Sequence, residues 1–281
     1  MLKQRVITAI LLLLVLLPAL FYRSPVPFCL VALILIAAGG WEWARLNGHG
    51  QRVSVLAGAG CFFLCIAAWA LGMLDQTTTW LWAMAGFGWV LAGSWVLYRG
   101  ASTWAAQSKA VRLLAGVLVL WLAWLAVAQA RVIGVNFLLS ILVLVWVADI
   151  FAYFSGRAFG GRFSREKLAP SISPGKSWEG VWGGMLGVGI LAFGWQWADA
   201  ASGISVPSLY SHLGKKGGLY LLAGVLFLDA MSVVGDLSES LVKRAAGVKD
   251  SSSLLPGHGG VLDRIDALLP TLPLAMMLCS I

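Results

Sequence analysis

The stretch LDAMSVVGDLSESLVKR carries polar residues at Asp229, Ser232, Asp236, Glu239, Ser240 and Lys243. Spacings of mostly three and four put them on one helical face. An ionised aspartate facing lipid costs about 2.5–3.5 kcal/mol even on the milder insertion scales. The stripe must therefore face protein, water or metal, and ion pairs between helices would satisfy it as well as a ligand would. Twenty residues on, Asp263 and Asp266 stand three apart at the expected start of another helix, so they can point back at the stripe. Hard carboxylate oxygens suit Mg2+, which is commonly held by one or two carboxylates plus substrate phosphates. This makes Asp236, Asp263 and Asp266 the candidate ligands. Lys243, Arg244, Lys249 and Arg264 lie between and beside the acids and supply the donors that a polyphosphate needs. Carboxylates, a dication and these cations together read as a site for a nucleoside triphosphate.

PGHGG, residues 256–260, adds a turn of one proline and three glycines around a histidine, whose unshielded backbone N–H groups can approach phosphate oxygens closely. A plain tight turn is the simpler reading. His258 could be a base, a donor to phosphate or a turn residue. A second polar island, WVADIFAYFSGRAFGGRFSREKLAPSISPGKSWEG, opens with Asp149 and continues through Arg157, Arg162, Arg165, Lys167 and Lys176. Lys176 sits just ahead of a helix whose N-terminus favours anions. The arginines also fit ordinary charge on an inner membrane loop. The tripeptide GKS resembles the end of a phosphate-binding loop of the GxxxxGK[ST] type, but Ala169 stands where its first glycine belongs, so that motif is excluded.

The elements that must position these groups are membrane helices. The chain of 281 residues is 60% hydrophobic and 11% charged, with a mean hydropathy of +0.87 and repeated long apolar runs. The expected fold is an all-α polytopic membrane protein of about nine transmembrane helices, at 6–22, 28–44, 53–74, 80–98, 111–128, 132–154, 181–197, 218–246 and 265–281. With the N-terminus inside and the C-terminus outside, all of the 20 lysines and arginines except Arg23, Arg131, Lys215 and Lys216 fall on the inner side. The first twenty residues also fit a signal peptide, but no A-x-A-like site follows them. Residues 1–130 read as scaffold helices, with Trp41, Trp43, Trp69, Trp80, Trp82, Trp89 and Trp95 suited to the lipid–water interface. Residues 131–281 read as the catalytic region. Cys29, Cys61, Cys65 and Cys279 lack paired metal spacing and read as small hydrophobes. A net charge of +8 suits inner loops against anionic lipid, and nucleic acid is not needed to explain it.

SLVKRAAGVKDSSSLLPGHGGVLDRID, residues 240–266, with GDLSES just before it, resembles the signature of the phosphatidate cytidylyltransferase (CDP-diacylglycerol synthase) family. Asp149, Ala152, Tyr153, Gly156, KLAP and SPGKSWEG extend the resemblance over the C-terminal half. It implies a membrane enzyme, typically a homodimer, that joins CTP to phosphatidate with release of pyrophosphate, using Mg2+ and in some members K+ too. It further implies metal binding at Asp236 and Asp263, and substrate contacts at Asp149, Tyr153, Lys176, Ser240, Lys249, Asp250, Gly259 and Gly260. The expected residence is a bacterial inner membrane, with the site facing the cytoplasm and membrane lipids as partners. Two features depart from the family: Ile150 and Phe151 follow Asp149 where small residues are usual, and RFSRE lengthens the loop before KLAP. A transporter would distribute polar residues over both halves as inverted repeats, which the sequence does not do. A lipid or polyprenol kinase would use similar nucleotide logic. A CDP-alcohol phosphatidyltransferase is disfavoured, because its motif begins with Asp-Gly and this chain contains no such dipeptide.

Overall fold

The computed structural model describes residues 2–164 and 166–280, with the side chains of Leu2 and Lys3 excepted. Lys3 and Arg165, counted among the inner basic residues, and Ile281, the end of the last expected helix, thus lie wholly or in part outside the described residues. Among the described residues the architecture is helical throughout, with α1 (Leu2–Phe21), α2 (Val26–Leu46), α3 (Gln51–Ala70), α4 (Thr79–Gly88), α5 (Ser94–Ala106), α6 (Lys109–Ile133), α7 (Val135–Phe159), α8 (Trp178–Ser202), α9 (Leu209–Gly214), α10 (Gly218–Ala245), α11 (Leu262–Ile265) and α12 (Leu268–Ser280). The only extended pairing there consists of isolated bridges at Ala169–Ser173 and Leu255–Gly259.

Local chemistry sets the boundaries. Ser108 caps α6 by accepting from the Val111 N–H, and Ser177 caps α8 by accepting from the Gly180 N–H. Gly203, left-handed at φ +59°, closes α8. A π-helical turn at Trp89–Gly93 joins α4 to α5, so the helix expected over 80–98 runs on to Ala106, bending at Gly100 (φ +80°). The short α9 was not expected, and the last expected helix is broken into α11 and α12 around Asp266.

Seven helical stretches are long and apolar enough to cross a membrane: Gln4–Phe21, Val26–Leu46, Gln51–Ala70, Thr79–Ala106, Lys109–Ile133, Val135–Phe159 and Gly218–Ala245. α8 has 25 residues, but its tryptophans, glycines, Gln196 and Asp199 dilute its hydropathy, while α12 has only 13. The large apolar side chains that remain exposed, among them Leu14, Ile34, Leu56, Phe63 and Ile190, are the surface expected of a protein solvated by lipid.

One hydrophobic core runs from Ala19 to Leu278. Its axis is α12, in which every residue from Leu269 to Met276 is buried against α4, α6, α7, α9 and α10. The division drawn at residue 130 therefore falls inside α6 and inside this core. Trp82, one of the tryptophans assigned to the lipid interface, is instead buried, donating its Nε1–H to Gln129 Oε1 at 3.2 Å. α7 and α8 pack closely through glycines: a Cβ on Gly183 would meet the Ser155 Oγ at 2.0 Å, and one on Gly187 the Phe151 ring at 2.4 Å.

Candidate active site

α10 carries the polar stripe as its spacing requires. Asp229 and Ser232 are buried near its middle, and Asp236, Glu239, Ser240 and Lys243 follow toward its C-terminal end. On one side, α7, α8 and α10 enclose a cavity of about 360 Å3 lined by Asp149, Tyr153, Arg157, Lys176, Asp229 and Ser232 among others. That volume is within the ~300–1,000 Å3 of typical ligand pockets. Lys176 enters from the loop before α8 and forms an ion pair with Asp236, Nζ to Oδ2 at 2.6 Å. The Ser240 hydroxyl donates to the other oxygen of Asp236 at 3.3 Å. Tyr153 stands exposed at the rim and its hydroxyl accepts from Arg157 at 3.2 Å. The Asp229 Oδ2 is buried without a hydrogen-bond partner on the same wall.

One turn further along α10, Lys243 bridges two acids. Its Nζ lies 2.5 Å from Glu239 Oε2 and 2.5 Å from Asp263 Oδ1. Asp263 also accepts at Oδ2 from the Ser251 N–H (2.9 Å), the Ser251 hydroxyl (2.8 Å) and the Gly260 N–H (2.7 Å). Burial opposes the charge on Asp263, but the hydrogen bonds from Lys243, Gly260 and Ser251 outweigh it and hold the carboxyl below the usual aspartate range. Asp266 bonds the Ala267 N–H at 2.9 Å and is close enough to Asp236 for the two like charges to interact.

The remaining candidates divide. Arg244, at the end of α10, donates to the Ile172 and Val248 carbonyls, and Arg264, in α11, donates twice to the His258 carbonyl, so both brace neighbouring loops. His258 keeps a buried Nδ1 without a partner. Lys249 and Asp250 are exposed at the loop surface. The glycines of PGHGG admit carboxylates: the Gly260 N–H is given to Asp263, and a Cβ at Gly260 would fall 2.0 Å from the Ser251 Oγ and 2.3 Å from Glu42 Oε1. Among the described residues, no three His, Cys, Asp or Glu side chains converge as a metal cluster.

Sequence reasoning passed over Glu42 and Glu179. Glu42, on α2, is fully buried beneath the 251–262 loop and accepts four hydrogen bonds from it. Glu179, at the start of α8, accepts from the N–H groups of Phe163 (3.1 Å) and Ser164 (2.8 Å), pinning the loop after α7. The signal for Glu42 was present, because the cost that singled out Asp236 applies equally to the one carboxylate in an apolar 21-residue helix.

The model of the cytidylyltransferase family matches residues 3–281. The chain belongs to that family. This cytidylyltransferase is 41% identical over 275 residues to the phosphatidate cytidylyltransferase of Pseudomonas aeruginosa, covering 97% of this chain and 95% of that protein. It is 40% identical over 302 residues to that of Haemophilus influenzae, covering 97% and 96%. A match to that of Thermotoga maritima is 43% identical over 145 residues, 51% of this cytidylyltransferase and 48% of the relative.

Proposed function

We propose that this cytidylyltransferase joins CTP to phosphatidate, giving CDP-diacylglycerol and pyrophosphate. The observation that carries the reading is the α10 stripe, which with Asp229 and Ser232 lines a polar cavity that Lys176 and Asp149 share on one flank, and with Lys243 grips Asp263 of the signature segment near its C-terminal end. A phosphate monoester with a second pKa near 6 is largely dianionic at neutral pH, so its oxygen can attack the α-phosphorus of CTP without a dedicated base. The new P–O bond forms as the bond to the β-phosphate bridging oxygen breaks, and pyrophosphate leaves with that electron pair. Two anions must be held together for this, which calls for cations rather than histidines.

Lys176 is placed on the cavity wall to neutralise phosphate charge, and Lys243 fixes Asp263 for the same centre. Asp236 and Asp263 would hold Mg2+, with Asp266 beside Asp236; the partnerless Asp229 oxygen and the exposure of the Asp236 side chain, 30%, fit a hydrated dication on that flank, whereas Asp263, its oxygens given to Lys243, Ser251 and Gly260, would exchange one of those partners for the ion. When bound, that ion supplies Lewis-acid stabilisation of the transferring phosphoryl group and of the departing pyrophosphate. A K+ beside it rests on the family resemblance. Tyr153 and Asp149, on α7, would meet substrate in the cavity, and Ser240 supports Asp236 through its hydroxyl.

The reading includes nine spans, α8 and the segment 265–281 being added to the seven, with the N-terminus inside, the C-terminus outside and the cavity open to the cytoplasm of a bacterial cell. The bias of Lys and Arg supports it. A homodimer rests on the resemblance alone: Gly180, Gly183 and Gly187 of GVWGGMLG, where glycines four apart would let a second chain approach closely, are packed against α7. The decisive experiment supplies purified protein with labelled CTP, phosphatidate and Mg2+ and extracts the lipid. Label in CDP-diacylglycerol, with stoichiometric pyrophosphate, is expected; no transfer by folded protein would refute the reading.

A further inference from the structure

Glu42 makes an arrangement unlike that of any other acid in the chain. Its Oε1 accepts from the Ser252 hydroxyl at 2.6 Å and the Val261 N–H at 2.9 Å. Its Oε2 accepts from the Leu262 N–H at 2.8 Å and the Ser251 hydroxyl at 3.1 Å. The residue has no exposed surface, and among the described residues no cation lies within ion-pair distance of it. An acceptor-only group with two oxygens matches four converging donors, and no neutral side chain of this size does so. The donors come from both ends of one loop, residues 251–252 and 261–262, so a single carboxylate closes it. The outer turn of that loop is held separately by α1, through Arg5 Nε to the Gly257 carbonyl and Thr8 Oγ1 to the Pro256 carbonyl.

We propose that Glu42 is a positioning residue for the cytidylyl transfer: it closes the 251–262 loop on α2 and thereby fixes Asp263 against Lys243. The link is the Ser251 hydroxyl, which lies within hydrogen-bonding distance of both carboxylates, 3.1 Å from Glu42 and 2.8 Å from Asp263. Its one proton serves one acid at a time, so each carboxylate constrains where the other can sit. The Leu262 N–H bond adds a second constraint, because Leu262 directly precedes Asp263 in α11. Glu42 touches neither the cavity nor any reacting atom. Its action on the reaction passes entirely through the loop, and this inference rests on the proposed reaction only for its catalytic readout.

The test uses the full chain in lipid nanodiscs and compares wild type, Glu42→Gln, Glu42→Asp and Ser252→Ala. Hydrogen exchange is read first, on protein kept free of divalent metal by chelator and without substrate. The Val261 and Leu262 amides, bonded to Glu42, are expected to be protected in the wild type and to lose protection in Glu42→Gln, while amides in the middle of α10 and α12 do not change. Steady-state kinetics per folded protein should then show kcat/KM reduced by roughly 10–100-fold, the usual effect of losing such a supporting partner. Glu42→Asp, which keeps the charge, should recover part of both readouts. Unchanged loop protection, or wild-type kcat and KM per folded molecule, overturns the proposal. If Glu42→Gln does not fold, Ser252→Ala decides: it removes a bond to Glu42 without touching Asp263, and unchanged loop exchange in that variant equally overturns it. A wild-type protein that makes no CDP-diacylglycerol would refute the reaction while leaving the exchange result to judge the loop.

Discussion

Replacing Lys243 with Met removes one cation from between two buried carboxylates. The lysine side chain is 11% exposed, against 2% for Glu239 and 6% for Asp263, so water cannot replace it. Breaking a buried pair of this kind typically costs about 3–5 kcal/mol. A ceiling follows from the alternative open to Glu239, which is to take up a proton. For a carboxyl with an ordinary pKa of about 4.3, doing so at pH 7 costs about 3.7 kcal/mol, at 1.36 kcal/mol per unit. Asp263 adds less, because it keeps its three bonds from Ser251 and Gly260. Lys243→Met should therefore lower unfolding free energy by about 3–4 kcal/mol, and Glu239→Gln added to it should recover most of that loss by removing the orphaned charge. Unfolding by sodium dodecyl sulfate in mixed micelles, followed by tryptophan fluorescence, measures both. Activity separates from stability here: the double variant should be folded and still inactive, with Asp263 deprived of its counter-charge. A Lys243→Met protein within about 1 kcal/mol of wild type, or no recovery from Glu239→Gln, would refute the reasoning.

Asp236→Asn and Asp263→Asn keep shape but remove the charge a hard dication requires, so turnover should fall by orders of magnitude in normally inserted protein; near-normal turnover at low Mg2+ would return these acids to ion pairing alone. Gly260→Ala should abolish activity by pushing the loop off Ser251 and Glu42, and should show loss of protection at Val261 by hydrogen exchange. Asp263 is held in its ionised form, so its share of stability is present above the ordinary aspartate pKa and is lost only as pH falls below it; the acid limb of the rate should therefore follow the second ionisation of the lipid phosphate, near pH 6, and should shift with a phosphonate analogue of different pKa. An introduced cysteine at the exposed Ser253 should be shielded from impermeant reagents in intact cells while one at the exposed Ser205 reacts, and the reverse pattern would invert the topology.

The α10 stripe was legible because charge in an apolar helix is costly and its period is visible over fifteen residues. Pairing was not legible. Nothing local says that Lys176 turns to Asp236, or that Arg244 and Arg264 spend their donors on nearby carbonyls rather than on a ligand. Glu42 was read past because its partners lie 209 to 220 residues away along the chain. The fold divides along the same line. Long apolar helices declare themselves, but in a bilayer an apolar side chain facing lipid and one facing the core are the same letters. The burial of α12 and the exposure of α1 therefore could not be told apart in advance. The break around Asp266 was hidden for a similar reason, since Pro270 and Pro273 lie in α12 itself rather than at the break.

The central position of α12 has a consequence for the order of assembly. Of these helices it is the last to be synthesised, yet α4, α6, α7, α9 and α10 all pack on it. Until it arrives, the faces that those helices present to it must be covered by lipid tails. Hydrophobicity gives no reason to exchange tails for leucines there, so closure must be driven by close packing, such as that of Met277 against Gly86 and of Pro270 against Gly235. Asp263 and the loop gripped by Glu42 lie immediately before α12, so the candidate centre takes the form described here only once that helix has packed.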